Sequence, residues 1–239
     1  MADGMAIAAV GMNNDMQRLN SISGNMANAL TPGYKRTLSF VSAMKDRSLV
    51  MGNGLQQVPV PALATVTDMK PAVLRGTGNP LDLAIEGQGF FEVQQGGQTF
   101  YTRQGNFTLD ANAQLRTLSG DLVMGLGGVL QLSTGQPTIE RDGRIVENAK
   151  PVGQLKLVSF DDPRLLQPVG DGKFLQGAAV VKNDGVAIVR QGQLEASNVN
   201  SAQDMVKLIE TMRHFESGQK VIQMYDDMAE RVNTKLGDF

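Results

Sequence analysis

The sequence predicts an α+β protein. N- and C-terminal coiled-coil-type helices, pairing with each other or with neighbouring chains, enclose a central β-rich domain that is antiparallel or barrel-like. Three observations predict this. All nine prolines fall between Pro32 and Pro168, so only the ends are free of helix breakers. Glycine follows, with 19 of 27 in residues 68–200. Methionine does the reverse, with nine of thirteen in residues 1–43 or 201–239. The ends read as helix and the middle as short strands separated by turns.

The N-terminal segment carries apolar or small residues at Met5, Ala9, Met12, Met16, Leu19, Ser23, Met26 and Leu30. Steps of 4 and 3 alternate without a break, the 3.5-residue average of a helix seam. Thr31 stands before Pro32, which disfavours helical geometry at Thr31, and Gly33 accepts a left-handed turn. The C-terminal segment opens with Ser201 and Asp204, a capping-box pair. Its stripe runs Met205, Leu208, Met212, Phe215, then resumes at Ile222 after a stutter near Gly218. Neither helix buries its stripe alone. The partner stripe is the other terminal helix or a neighbouring chain, and the sequence does not choose.

Between them, Leu83 and Ile85 alternate with other residues, and Phe91 and Val93 lead to a Gly96-Gly97 hairpin turn before Phe100-Tyr101. Phe107 and Leu109 alternate before a turn at residues 110–113. Val129–Leu132, Gln154–Phe160 and Val186–Val189 complete the strand set. The domains expected are 1–36 (assembly helix and turn), 37–67 (extended connector without clear periodicity), 68–198 (β-rich outer domain) and 199–239 (second assembly helix).

Composition narrows the function. Twenty-two basic and 24 acidic residues leave a net charge of −2, which argues against nucleic acid as a partner. Cysteine is absent, which excludes disulfides, thiolate nucleophiles and Cys-ligated metals. No stretch approaches the ~20 apolar residues of a membrane span, so membrane insertion is not expected. The run Met5–Val10 is short and preceded by Asp3 rather than a basic cluster, unlike a cleaved secretory signal. The one histidine, His214, reads as a helix-surface or interface residue. Gly125-Leu126-Gly127-Gly128 lacks phosphate-loop spacing and a Walker lysine. No catalytic, metal or cofactor constellation is expected, and the chain does not read as an enzyme.

Two stretches are more specific. The run Asn25-Met-Ala-Asn28-Ala-Leu-Thr31-Pro32-Gly33-Tyr34-Lys-Arg36 resembles the N-terminal signature of the flagellar axial proteins, the rod, hook and hook-associated family. Leu194-Glu-Ala-Ser-Asn198-Val199-Asn200, leading to Arg213-His-Phe-Glu216, is similar to that family's C-terminal signature. Leu83 to Phe91, Tyr101-Thr-Arg103 and Gly105-Asn-Phe107 resemble the interior of its rod and hook members. The Arg-His-Phe-Glu pattern favours a proximal over a distal rod type.

The resemblance implies a structural subunit exported by the flagellar type III apparatus without a cleaved signal. Its helices would build the inner tube of the basal-body rod, with other rod and hook-family subunits as partners. Met5, Met12, Met16, Leu19 and Met26 are then expected to form the assembly seam with Met205, Leu208, Met212, Phe215 and Ile222. A secreted binding module whose helices only dimerise is the alternative of another class.

Overall fold

The computed structural model describes residues 2–50, 57–133, 137–182 and 187–237. They pack as two units. One comprises Met1–Ala27, Thr37–Val66 and Asn200–Phe239, and the other comprises Asn28–Arg36 and Thr67–Val199.

In the first unit, α1 spans Ala2–Ala27 and α2 spans Ser201–Gly237. The two helices pack against each other. Their direction follows from three contacts. Gly4 meets Tyr225, Met12 meets Gly218, and Asp15 meets His214, so rising numbers on one helix meet falling numbers on the other. The pair is antiparallel. Asn200 caps α2, its Oδ1 accepting from the Gln203 N–H at 3.2 Å. That differs from the expected cap at Ser201, which is instead the first helical residue. The same unit holds β1 (Thr37–Val50) and β2 (Gln57–Thr67), paired as a two-stranded ribbon where a connector was expected. The signal for β2 was present: Val58, Val60, Ala62, Ala64 and Val66 alternate. Pro59 and Pro61 masked it. They lie two apart, so they remove N–H donors from one edge only, which a two-stranded ribbon tolerates.

The second unit is the β-rich body. Its strands include β3 (Leu74–Gly76), β4 (Leu83–Glu86), β5 (Phe90–Gln95) and β6 (Gln98–Thr102). Among the described residues all its strand pairings are antiparallel. The largest sheet runs from Gln167–Gly170 at one edge to Phe107–Leu109 at the other. Among the described residues it is open, so the barrel-like alternative gives way to open antiparallel sheets. The β5–β6 hairpin turns at Gly96 (φ +57°) and Gly97 (φ +85°), with Gln95 opposite Gln98. Two successive positive φ angles make the turn whose twist matches the strands, which is why glycine stands at both. The second of the later expected strands is interrupted at Leu155-Lys156, between Lys150–Gln154 and Leu157–Phe160. Of the third, residues 183–186 lie outside the described set, and the strand there is Ile188–Gln191.

The hairpin divides the core because successive side chains of a strand point to opposite faces. Phe91, Val93 and Phe100 enter one apolar cluster with Phe107, Leu115 and Ile145. Phe90 and Tyr101 enter another with Phe160 and Phe174. Aromatic rings meet edge to face in both: Phe91 and Phe107 at 5.1 Å, Tyr101 and Phe160 at 4.9 Å.

Phe91 is fully buried at the centre of the first cluster. Phe91→Ala is expected to cost about 3–5 kcal/mol, read by urea unfolding of the full chain. A loss below about 1 kcal/mol is inconsistent with a close-packed cluster at that position.

Candidate assembly interface

Two constructions carry the sequence signatures: a polar latch in the β-rich unit and the seam between α1 and α2.

The latch centres on Glu195. Residues 31–34 form a turn, in which the Thr31 N–H donates to the Asn28 carbonyl and the Tyr34 N–H to the Thr31 carbonyl. Thr31 Oγ1 also donates to Asn28 Oδ1 at 3.1 Å. Gly33 has φ +68°, and a Cβ there would fall on the Arg103 backbone. Glycine is therefore required twice, for the left-handed turn and for the close approach. The Gly33 N–H donates to the Glu195 carbonyl at 2.8 Å. Two residues on, Lys35 Nζ reaches Glu195 Oε1 at 2.5 Å and the Lys70 carbonyl at 2.8 Å. Arg103 Nη1 approaches Glu195 Oε2 at 3.3 Å and donates to the Ile85 carbonyl. Its Nη2 donates to the Gly87 carbonyl at 2.6 Å, and its guanidinium lies 5.2 Å from the Phe90 ring centre. The Ala72 N–H completes the set on Glu195 Oε1.

The side chains of Lys35, Glu195 and Arg103 are each at most 4% exposed. Burial pulls both cations below their ordinary proton affinity, and Glu195 pulls them back toward the charged form. Asn198 adds a second tie. Its Oδ1 accepts from the Arg36 N–H at 2.7 Å and its Nδ2 donates to the Asp68 carbonyl at 2.7 Å. Val199, half-buried, follows it, with its N–H donating to Ser197 Oγ. Arg36 pairs with Asp68 at 2.9 Å. The segments Gly33–Arg36 and Glu195–Asn198 are thus held side by side, which places residues 28–36 in the β-rich unit. The boundary expected after Arg36 falls after Ala27 instead, because these polar ties bind the turn to strand residues and not to α1.

Asn25 has a separate job. Its Nδ2 donates to the Thr37 carbonyl and its Oδ1 accepts from the Thr37 N–H, both at 2.8 Å. One amide satisfies both backbone groups of the first residue of β1. Thr31, Pro32 and Tyr34 remain half-buried around the turn.

In the helix pair the inward line of α1 runs through Gly4, Ala8, Asp15 and Ile22, joined by Met12, which reaches Gly218. Asp15, Ile22 and Asn25 are buried, and a Cβ on Gly4 would stand 2.5 Å from the Tyr225 hydroxyl. Met12 apart, this line is the expected seam displaced by one residue, about 100° around the helix. On α2 the inward line is Asp204, Leu208, Thr211, Phe215, Gly218, Ile222 and Tyr225, again in steps of 4 and 3. Gly218 is not a stutter. It is a seam position with room for Met12, whose Cγ would stand 2.9 Å from a Cβ there.

The ten expected seam residues therefore divide. Leu208, Phe215 and Ile222 lie on the intrachain line, half-buried. Met12 packs into the seam at Gly218, and Met5, Leu19 and Met26 flank it; all four are half-buried. Met16, Met205 and Met212 are turned outward, 52%, 56% and 47% exposed. The structure also brings forward a residue pair that apolar periodicity does not reveal. Asp15 is 3% exposed in the seam, with its Oδ2 2.5 Å from His214 Nδ1.

Residues 190–235 match the family described as flagellar basal body rod FlgEFG protein C-terminal. Residues 84–147 match the flagellar hook protein FlgE/F/G D1 domain. The chain is 34% identical to the flagellar basal-body rod protein FlgF of Escherichia coli strain K12, over 90% of each. It is 32% identical to the flagellar basal-body rod protein FlgG of Agrobacterium fabrum, over 97% of this chain and 98% of that one. Its identity to FlgF of Caulobacter vibrioides is 32%, over 95% and 96%.

Two outcomes test the latch. Glu195→Ala leaves two buried cations without their carboxylate and is expected to cost about 3–5 kcal/mol in chemical denaturation. A loss under about 1 kcal/mol, the scale of an exposed pair, contradicts the latch. The second outcome concerns pH. Burial raises the Asp68 carboxyl, but Arg36 and the Lys70 N–H more than offset it and hold it below its ordinary 3.8. A carboxylate lowered in the folded state stabilises above its unfolded value and loses that contribution as pH falls through its folded value. Asp68→Asn should therefore be less stable than the parent near neutrality, with the difference closing as pH falls below 3.8. A constant gap across that window contradicts the assignment.

Proposed function

Because the chain belongs to the flagellar basal-body rod family of FlgE, FlgF and FlgG proteins, we propose that it is a proximal-rod subunit of the FlgF type that polymerises through α1 and α2. The observation that carries this is the near full-length match to rod proteins, combined with terminal helices that pair with each other yet keep methionines exposed. A rod subunit must hold its own helices together and still present an apolar surface to neighbours. Met16, Met205 and Met212 supply that surface, and flexible thioethers pack well on varied partners. The half-buried Met5, Leu19 and Met26 support it from the flank, while Met12, Leu208, Phe215 and Ile222 hold the pair in coiled-coil fashion.

In this reading the chain travels unfolded through the type III export apparatus without a cleaved signal. A chain without cysteine forms no disulfide that would obstruct that passage. It then joins other rod and hook-family subunits in the shaft that crosses the periplasm and transmits torque. The β-rich unit supplies lateral contacts. A distal-rod assignment of the FlgG type is the second reading, favoured by the longer coverage of the FlgG relative.

The test is imaging of basal bodies from cells whose only copy is a tagged chain. Label in the rod, at its inner end, is the expected result. Label at the outer end selects the distal reading, and basal bodies lacking the chain overturn both. A Leu19→Asp chain is expected to stay out of the rod while its β-rich unit remains folded by near-ultraviolet dichroism. Normal incorporation of that variant removes Leu19 and its flank from the assembly interface.

A further inference from the structure

The exposed apolar side chains of the helix pair are not scattered. Positions one residue after the inward line stand about 100° to one side of it. In an antiparallel pair those positions on both helices share one face, because reversing a helix reverses its apparent sense of rotation. Met16 follows Asp15, Met205 follows Asp204 and Met212 follows Thr211, so all three lie on the same face. With antiparallel contacts at Asp15–His214 and Met12–Gly218, Met16 stands level with Met212. Together they form a methionine ridge.

Positions one residue before the inward line share the opposite face. Ile7 precedes Ala8, Val221 precedes Ile222 and Met224 precedes Tyr225. Ile7 is 61% exposed, Met224 56% and Met228 46%. On α2 these side chains border a groove of about 390 Å³ lined by Val221, Met224, Tyr225, Asp227, Met228 and Arg231. Ile7 stands near the same level, three residues along α1 from the Gly4–Tyr225 contact. The groove and the ridge are offset by about nine residues of α1, some 14 Å at 1.5 Å per residue.

The geometry points to a head-to-tail contact in which the ridge of Met16, Met205 and Met212 enters the Val221–Met228 groove of a second copy of this chain. This rests on the polymer reading above and specifies its contact faces. Three features favour a second copy as occupant. A protruding apolar ridge and a recessed apolar groove occur on one molecule. A net charge of −2 imposes little repulsion between copies. Each rim carries both signs, with Arg213 and Glu216 beside the ridge and Asp227 and Arg231 in the groove wall. Because ridge and groove lie on opposite faces, a symmetric dimer leaves one of them uncovered. A ridge-to-groove contact leaves a free ridge at one end and a free groove at the other, so it repeats without closing on a pair.

The chain has no cysteine of its own, which makes the test direct. Full-length Met212→Cys and Met224→Cys variants, single and combined, are expressed as the only copy in flagellated cells. Their basal bodies are treated with a short bis-maleimide. Cells producing both single variants are expected to yield a covalent dimer severalfold more abundant than either single variant alone. The double variant is expected to yield a ladder beyond the dimer. Self-linking of one single variant at the level of the mixture indicates a symmetric contact and overturns the proposal. Basal bodies that contain the chain but no cross-linked species also overturn it and leave the rod reading standing. Basal bodies without the wild-type chain sink the rod reading itself. If Met224→Cys impairs incorporation, Met228→Cys occupies the same groove, and its cross-linking supports or overturns the proposal in the same way.

Discussion

Everything in the β-rich unit that touches the chain's signatures depends on one buried carboxylate. Glu195 accepts from Lys35, Arg103 and the Ala72 N–H, while its own carbonyl accepts from Gly33. Charges this buried are tolerated only when paired, and here each is paired although Arg103 Nε is left without a hydrogen-bond acceptor. The arrangement is therefore conditional. It exists only if the turn at residues 31–34, the end of β6 and the strand Gln193–Glu195 arrive together. A cluster with that requirement specifies one register, since a slip of a single residue would strand a cation in the interior. It also explains why Gly33 has no tolerable substitute: the approach that brings Lys35 to Glu195 brings Gly33 onto Arg103.

The helix pair obeys a different logic. Its inward line is small or polar over much of its length, with Gly4, Ala8 and Asp15 on α1 and Thr211 and Gly218 on α2. Small residues let one helix approach another closely, and a side chain such as Met12 or Tyr225 then fills the space a glycine leaves. Apolar surface saved in this way stays on the outside. A monomer gains little from exposed methionine, whereas a contiguous exposed apolar face is the mark of an interaction surface, as in the polymer reading proposed above. The asymmetry between a polar, small intrachain seam and apolar outer flanks is what a rod component requires of its terminal helices.

Much of this was legible in the residues. The proline-free ends, the Gly96-Gly97 turn and the alternation at Phe91 and Val93 each report a local backbone preference, and each stands where it was expected. Asn25, Gly33 and Asn198 carry local chemistry of their own, since the two amides satisfy backbone groups and Gly33, lacking a side chain, permits a positive φ. What the alternation could not reveal was β2, where Pro59 and Pro61 hide a period of two. Nor could apolar periodicity find the true seam. It selects the most hydrophobic line of a helix, and on α1 the buried Asp15 and Ile22 stand one residue to the side of that line.

By itself, the sequence determined the two terminal helices and the Gly96-Gly97 hairpin, that the ends differ from the middle, and to which family the signatures belong. These rest on local conformational preference and residue chemistry, which need no partner. Tertiary structure alone decided that residues 28–36 belong with the β-rich unit, that Lys35, Arg103 and Glu195 share one buried site, and that Met16, Met205 and Met212 face outward. Those outcomes depend on which distant segments meet. Lys35 and Glu195 are 160 positions apart, and only the closed fold converts that separation into a 2.5 Å contact.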